Sequence, residues 1–156
     1  MANKSVDCGR METSGAPRRL RGTTSWLLGQ ATTHAARLVS EALGAVGARR
    51  YHYSLLAALD EFGPASQAEL GRRGGLDRSD VVATLNELAD KGFVERRPDP
   101  VDKRRNIVSV TPSGEAHLRH LDRVLGQAQE SLLAPLSAAE REELVRVLNV
   151  VLEHQG

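Results

Sequence analysis

Between Trp26 and Leu43 the apolar positions, among them Leu27, Ala31, Ala35, Leu38, Val39 and Ala42, recur at helical spacing, which predicts a long first helix reaching about Gly47. A second helix follows from about Tyr51 to Phe62, with Leu55, Leu56 and Leu59 on one side, and the Gly63-Pro64 pair stops it. Ser66-Gln67-Ala68-Glu69 has the form of a capping box opening a short third helix that ends at Gly74-Gly75. Asp77 stands where an N-cap belongs and opens a fourth helix, whose Val81, Val82, Leu85 and Leu88 are expected to point inward before Lys91-Gly92 close it. The period then changes from helical to alternating. Phe93 to Arg96 and Asn106 to Val110 read as two strands of a hairpin, joined by the turn-rich segment Pro98 to Lys103. Thr111-Pro112 begins a fifth helix with Leu118, Leu121, Val124, Leu125 and Leu132 as its stripe, ended by Pro135. Ser137 to Glu140 forms a second capping box, and the sixth helix carries Leu144, Val145, Leu148, Val151 and Leu152.

The predicted order is therefore mainly α with one small β-hairpin wing: a winged helix-turn-helix between residues 51 and 111, flanked by helical segments at 24–50 and 112–156. Residues 1–23 mix Gly9, Gly15, Pro17 and Gly22 with Arg10, Arg18, Arg19 and Arg21 and keep no period, which reads as a flexible basic tail. Only 3% of residues are aromatic, so the core must be leucine, valine and alanine, and a sandwich or barrel is disfavoured. The two terminal helices have wide apolar stripes in a chain of 156 residues and need something to pack against. The single Cys8 makes no intrachain disulfide, and no apolar run reaches the roughly 18 residues of a membrane span. A cytoplasmic location is expected.

Net charge is only +1, so affinity for nucleic acid has to come from local clustering. The hairpin supplies it. Arg96, Arg97, Lys103, Arg104 and Arg105 stand against Glu95, Asp99 and Asp102, and long cations at a turn tip can reach phosphates or a narrow minor groove. On the fourth helix, Arg78, Ser79, Asp80, Ala83, Thr84 and Glu87 form the face opposite the apolar stripe. Ser79, Asp80 and Thr84, with Arg78 at the helix start, are the candidates for contact with bases or phosphates in the major groove of double-stranded DNA.

Leu88 to Arg96, followed by Asp99-Pro100-Val101-Asp102-Lys103-Arg104-Arg105 and by Val110-Thr111-Pro112-Ser113-Gly114, resembles the multiple-antibiotic-resistance regulator (MarR) family of bacterial transcriptional regulators, and the similar helix order extends over residues 26 to 155. The resemblance implies a homodimer held by the terminal helices, with two recognition helices in successive major grooves of a near-palindromic operator. It also implies that Arg104 enters the minor groove, that Asp102 holds it through a charge-assisted hydrogen bond, and that Lys103 and Arg105 contact the backbone. Two positions depart from the common pattern: Arg78 stands where many members carry proline, and Ala83 where many carry a cation. The operator sequence is therefore not transferable.

Members of this family often release DNA when a small aromatic anion binds. Trp26, His34 and Arg37 on the first helix and His52 and Tyr53 on the second are the candidate effector ligands, an aromatic plane with cations suiting a carboxylate or phenolate. His117-x-x-His120 is the one histidine pair at helical spacing, and no cysteine or aspartate cluster completes a set, so neither metal nor cofactor is expected. There is no glycine-rich phosphate loop, nucleophile elbow or carboxylate pair beside a histidine to support an enzyme. The reading is a DNA-binding repressor of nearby genes released by a small effector. The alternative is a winged-helix protein-interaction adaptor without specific DNA binding.

Overall fold

The computed structural model of the protein describes residues 15–155, so Cys8 and the first fourteen residues of the predicted basic tail lie outside the described residues. The chain divides into two units, residues 1–37 and 38–156. In the first, Arg18–Arg21 form a one-turn helix, α1, where the sequence pattern predicts no regular structure. Helix α2 follows at Thr24–Ala45, with residues in both units.

The second unit continues with α3 (Arg50–Phe62), the two-residue strand β1 (Ala65–Ser66), α4 (Gln67–Gly74), α5 (Arg78–Asp90), strands β2 (Val94–Pro98) and β3 (Asn106–Val110), α6 (Pro112–Leu133) and α7 (Ala138–Gln155). Both predicted capping boxes are made. The Ser66 N–H and hydroxyl donate to Glu69 Oε2 at 2.8 and 2.7 Å, and Ser137 repeats the arrangement with Glu140 at 2.8 Å for both bonds. Asp77 Oδ1 accepts the Asp80 N–H at 2.9 Å, and the Thr111 hydroxyl accepts the Gly114 N–H at 3.1 Å. These local bonds satisfy the first orphan donors of four helices, which is why the element starts could be read from residue types alone.

The hairpin pairs Val94 with Val110 through to Pro98 with Asn106, antiparallel. It is extended by β1, which pairs Ala65 with Val108 and Ser66 with Ile107, so the sheet order is β1-β3-β2. The hairpin is thus one side of a three-stranded sheet that ties the start of α4 to the wing. The sequence pattern missed β1 because two residues carry no period.

The core is one aliphatic cluster built from Leu43, Leu55, Leu56 and Leu59 of the first helices, Leu70 of α4, Val81, Leu85 and Leu88 of α5, Val94 and Val108 of the sheet, and Leu118 and Leu121 of α6. Each fully buried leucine is worth about 1.5–3 kcal/mol relative to exposure. Helix α7 contributes none of these residues: Leu144, Val145, Val147, Val150, Val151 and Leu152 stay exposed, Leu152 to 69%. Arg141 fastens the α6–α7 turn, its guanidinium donating to the carbonyls of Leu133 and Leu136 at 3.2 and 3.1 Å and to Glu130 at 2.7 Å.

Where the sheet meets α6 the chain has no spare room. The Thr111 N–H and hydroxyl donate to the carbonyls of Phe93 and Gly92, at 3.0 and 2.7 Å, and a Cβ on Gly114 would stand 2.0 Å from the Phe93 carbonyl oxygen. Gly114→Ala should lower stability by about 1–3 kcal/mol or more, read as a lower urea midpoint at unchanged slope. A variant as stable as the wild type would show that α6 is not packed against Phe93 in this way.

Candidate DNA-reading surface

The surface is assembled from α4, the turn after it, α5 and the wing. Gly75 makes the turn with φ +62, a left-handed conformation open to glycine at no steric cost, and its N–H returns to the Gly71 carbonyl. Gly71 allows close helix contact, because a Cβ there would lie 3.2 Å from the Leu76 carbonyl oxygen and 3.3 Å from Val81 Cγ2. Helix α5 is pressed onto the core by Val81, Thr84, Leu85 and Leu88.

That row corrects the predicted faces of α5. Thr84, expected to contact DNA, is 1% exposed, and Val82, expected to be buried, is 37% exposed. The reason is geometric. At about 100° per residue, Thr84 is the i+3 member of the set Val81, Thr84, Leu85, Leu88, whereas Val82 lies about 100° off that seam. The spacing was legible; polarity concealed it. The outward face is formed by Arg78, Ser79, Val82, Ala83 and Asn86, with Asp80 half-buried. Ser79 donates its hydroxyl to Asp77 Oδ1 at 2.6 Å, leaving its oxygen lone pairs available outward. The Ser79 and Asp80 bonds hold the Asp77 carboxyl below its ordinary pKa. Asn86 Oδ1 accepts from Arg96 Nη2 at 2.8 Å, joining α5 to β2.

The wing tip is organised by its carboxylates. Asp99 Oδ1 accepts the N–H groups of Val101 and Asp102 at 2.8 and 3.3 Å, and Asp102 Oδ1 accepts the N–H of Arg104 at 3.0 Å. Asp102 therefore holds Arg104 through its backbone. The Asp99 N–H closes the loop on the Arg105 carbonyl at 2.9 Å. With both carboxylates engaged by the backbone, Lys103, Arg104 and Arg105 are exposed at the tip, and Arg97, also exposed, pairs with Glu95 at 2.9 Å. A surface pair of that kind is worth little energy and is easily exchanged for a phosphate. A cleft of about 670 Å³ lies between the return side of the wing tip, from Arg104 to Asn106, and α4 with the start of α5, and Arg72, Arg78, Arg104 and Arg105 stand on its walls. The arrangement presents convergent cations to a polyanion next to a short-chained helical face.

The expected effector residues are divided between the two units. In the first unit, Trp26 is half-buried and His34 and Arg37 are exposed, with Arg37 Nη2 3.4 Å from His34 Nδ1. In the second unit, His52 is 2% exposed and committed: Nδ1 accepts the Arg49 N–H at 3.2 Å, and Nε2 lies 2.8 Å from Glu87 Oε2. As a ligand-facing side chain His52 is therefore excluded in this conformation, and the Tyr53 hydroxyl is also engaged, donating to Asp122 at 3.0 Å. Glu87, expected on the outward face of α5, is the partner that sequence could not assign to His52. The Glu87 carboxyl is held below its ordinary range by the His52 bond first and the Arg49 bond second. Among the described residues no group of three or more potential ligands could hold a metal, and no helix is long and apolar enough to cross a membrane.

A three-helix module with an antiparallel wing, a groove-sized exposed helix face and a cationic tip defines a winged helix-turn-helix protein. Residues 47–105 match the MarR family. The chain is 33% identical over 98 residues to the HTH-type transcriptional repressor NicR of Pseudomonas putida, a match spanning 63% of this chain and 62%, less than two thirds, of NicR. A probable transcriptional regulator from Pseudomonas aeruginosa shares 32% identity and the fold, with a TM-score of 0.75 over 85% of this chain and 99% of that one. A mutant MarR from Escherichia coli, in complex with operator DNA, is 27% identical, with a TM-score of 0.71 over 82% and 92% of the two chains. The chain belongs to the MarR family.

Burial pushes His52 and His117 below their ordinary pKa of 6.5, in His117 aided by the nearby positive charge of His120 and Lys91. Because the unfolded chain then binds more protons, the stability these neutral imidazoles contribute is complete above 6.5 and falls as pH drops from there through the lowered folded-state values. The urea midpoint should be higher at about pH 7.5 than at about pH 5.5, and replacing both histidines by glutamine should shrink the difference. An undiminished difference in the double variant would assign it to other groups.

Proposed function

We propose that the protein is a homodimeric transcriptional regulator that binds double-stranded DNA at a near-palindromic operator, repressing nearby genes until a small aromatic or anionic effector releases it. The observation that carries the reading is the wing tip. Asp99 and Asp102 direct a carboxylate oxygen to backbone N–H groups of the turn, and Lys103, Arg104 and Arg105 stand exposed beside the start of α5. Arg104 is the minor-groove side chain, Lys103, Arg105 and Arg97 meet phosphates, and Arg78, Ser79 and Asp80 lie at the major-groove end of α5. Asp80 has an acceptor suited to a cytosine amino group. The exposed apolar row of α7 supports the dimer, because a second copy is the surface that would bury it. For the effector, Trp26, His34 and Arg37 remain the candidates, since His52 and Tyr53 are engaged within the chain.

Arg104→Ala should weaken binding to a duplex selected by the wild-type protein by at least about 1 kcal/mol and lower the salt slope by about one. Gel-shift titrations at three salt concentrations measure both. Equal affinity and slope in the variant would remove Arg104 from the interface. A wild-type protein that selects no duplex at all would favour the adaptor reading.

A further inference from the structure

A small network of hydrogen bonds ties the segment between α2 and α3 to the C-terminal half of α5. Arg49 Nη2 donates to Glu87 Oε1; the ring of His52 spans from the Arg49 N–H to Glu87 Oε2; and Lys91 Nζ donates to the Gly47 carbonyl at 3.0 Å. None of the DNA-facing residues takes part in this network, and α5 is held to the core by its apolar seam as well. Its geometry is nonetheless specific. The Arg49 N–H occupies Nδ1 of His52, so the ring proton sits on Nε2 and is donated to Glu87. Neutral imidazole is the one ring state that satisfies both ends.

We propose that Glu87 and His52, with Arg49, are positioning residues that fix the angle of the recognition helix α5 against α3, and thereby the depth at which its first turn meets DNA. The inference rests on the DNA-binding reading above. The apolar seam Val81, Thr84, Leu85 and Leu88 fixes which face of the helix is buried but leaves the fine adjustment of its angle open, because hydrophobic contact is non-directional. A bidentate carboxylate on the flank of that helix, bonded to two donors fixed at the start of α3, supplies the missing directional constraint.

Protonation disturbs this arrangement in a defined way. With a proton on Nδ1, His52 can no longer accept from the Arg49 N–H, and two donors face each other at the start of α3. The charged groups around the ring are Glu87 and Lys91 of α5 and its cap, Arg49 before α3, and His117 on α6. One carboxylate then faces several cations. The lowered pKa of His52 agrees with a site built for the neutral ring.

The test compares wild type, Glu87→Gln and His52→Gln on a duplex selected by the wild-type protein from a randomised pool, at about pH 7.5 and about pH 5.5. Glutamine at 52 keeps a donor toward Glu87 and cannot titrate. Glu87→Gln should bind about tenfold more weakly at the higher pH. Its amides at 78–90 should exchange faster while the urea midpoint changes little. Wild type should lose affinity on acidification, and His52→Gln should retain most of its affinity at the higher pH with a flatter pH profile. Unchanged affinity and exchange in Glu87→Gln, or a wild-type pH profile in His52→Gln, would overturn the proposal. If the wild type selects no duplex, the DNA reading fails by itself. The clamp is then judged by exchange at 78–90 and by ring-nitrogen NMR, where an Nδ1–H tautomer, or no response to Glu87→Gln, contradicts it.

Discussion

The burial of one row of α5, Val81, Thr84, Leu85 and Leu88, decides what the rest of the structure can do. A helix has one angular freedom about its axis, and that row removes most of it by pinning about 100° of circumference to the aliphatic cluster. Arg78, Ser79, Val82 and Ala83 face outward because of where the seam lies, and their own polarity does not determine it. Gly71 is the counterpart of the seam on α4: without a side chain it lets Val81 approach to contact distance, bringing the two helices of the motif together.

The wing depends on a second set of constraints that begins at the end of the same helix. Gly92 turns the chain at φ +71, and the bonds from Thr111 to the Gly92 and Phe93 carbonyls clamp the end of the return strand and the start of α6 to the turn between α5 and β2. Phe93 also stacks on His117, ring centroids 4.2 Å apart and planes nearly parallel. The wing is therefore anchored at its base and shaped at its tip by aspartate–backbone bonds, so the backbone that carries the cations is held at both ends.

Much of this architecture was legible in the sequence. Capping residues marked where α4, α5, α6 and α7 begin, and the family resemblance of Leu88 to Gly114 carried the winged fold and the DNA-reading class. What escaped notice has physical causes. Thr84 was assigned outward because it is polar, although a buried i+3 position accepts a threonine whose methyl packs like valine. β1 is too short to show a period, and α1 is a single turn. The His52–Glu87 bond joins residues 35 positions apart, and no local pattern encodes such a contact. The effector residues were chosen by chemistry without knowledge of their neighbours, and for His52 and Tyr53 the neighbours proved to be Glu87 and Asp122.

If DNA is read by the first turn of α5 together with the wing tip, both must lie against the duplex at once. Site-specific photocrosslinking tests this most directly, with a benzophenone side chain placed in turn at Ser79, Lys103 and Ala139, all three exposed. With a duplex selected by the wild-type protein, positions 79 and 103 should form DNA adducts and position 139, at the start of α7, should form none. Adducts at 139 and none at 79 or 103 would contradict the proposed reading surface and place the DNA on another face.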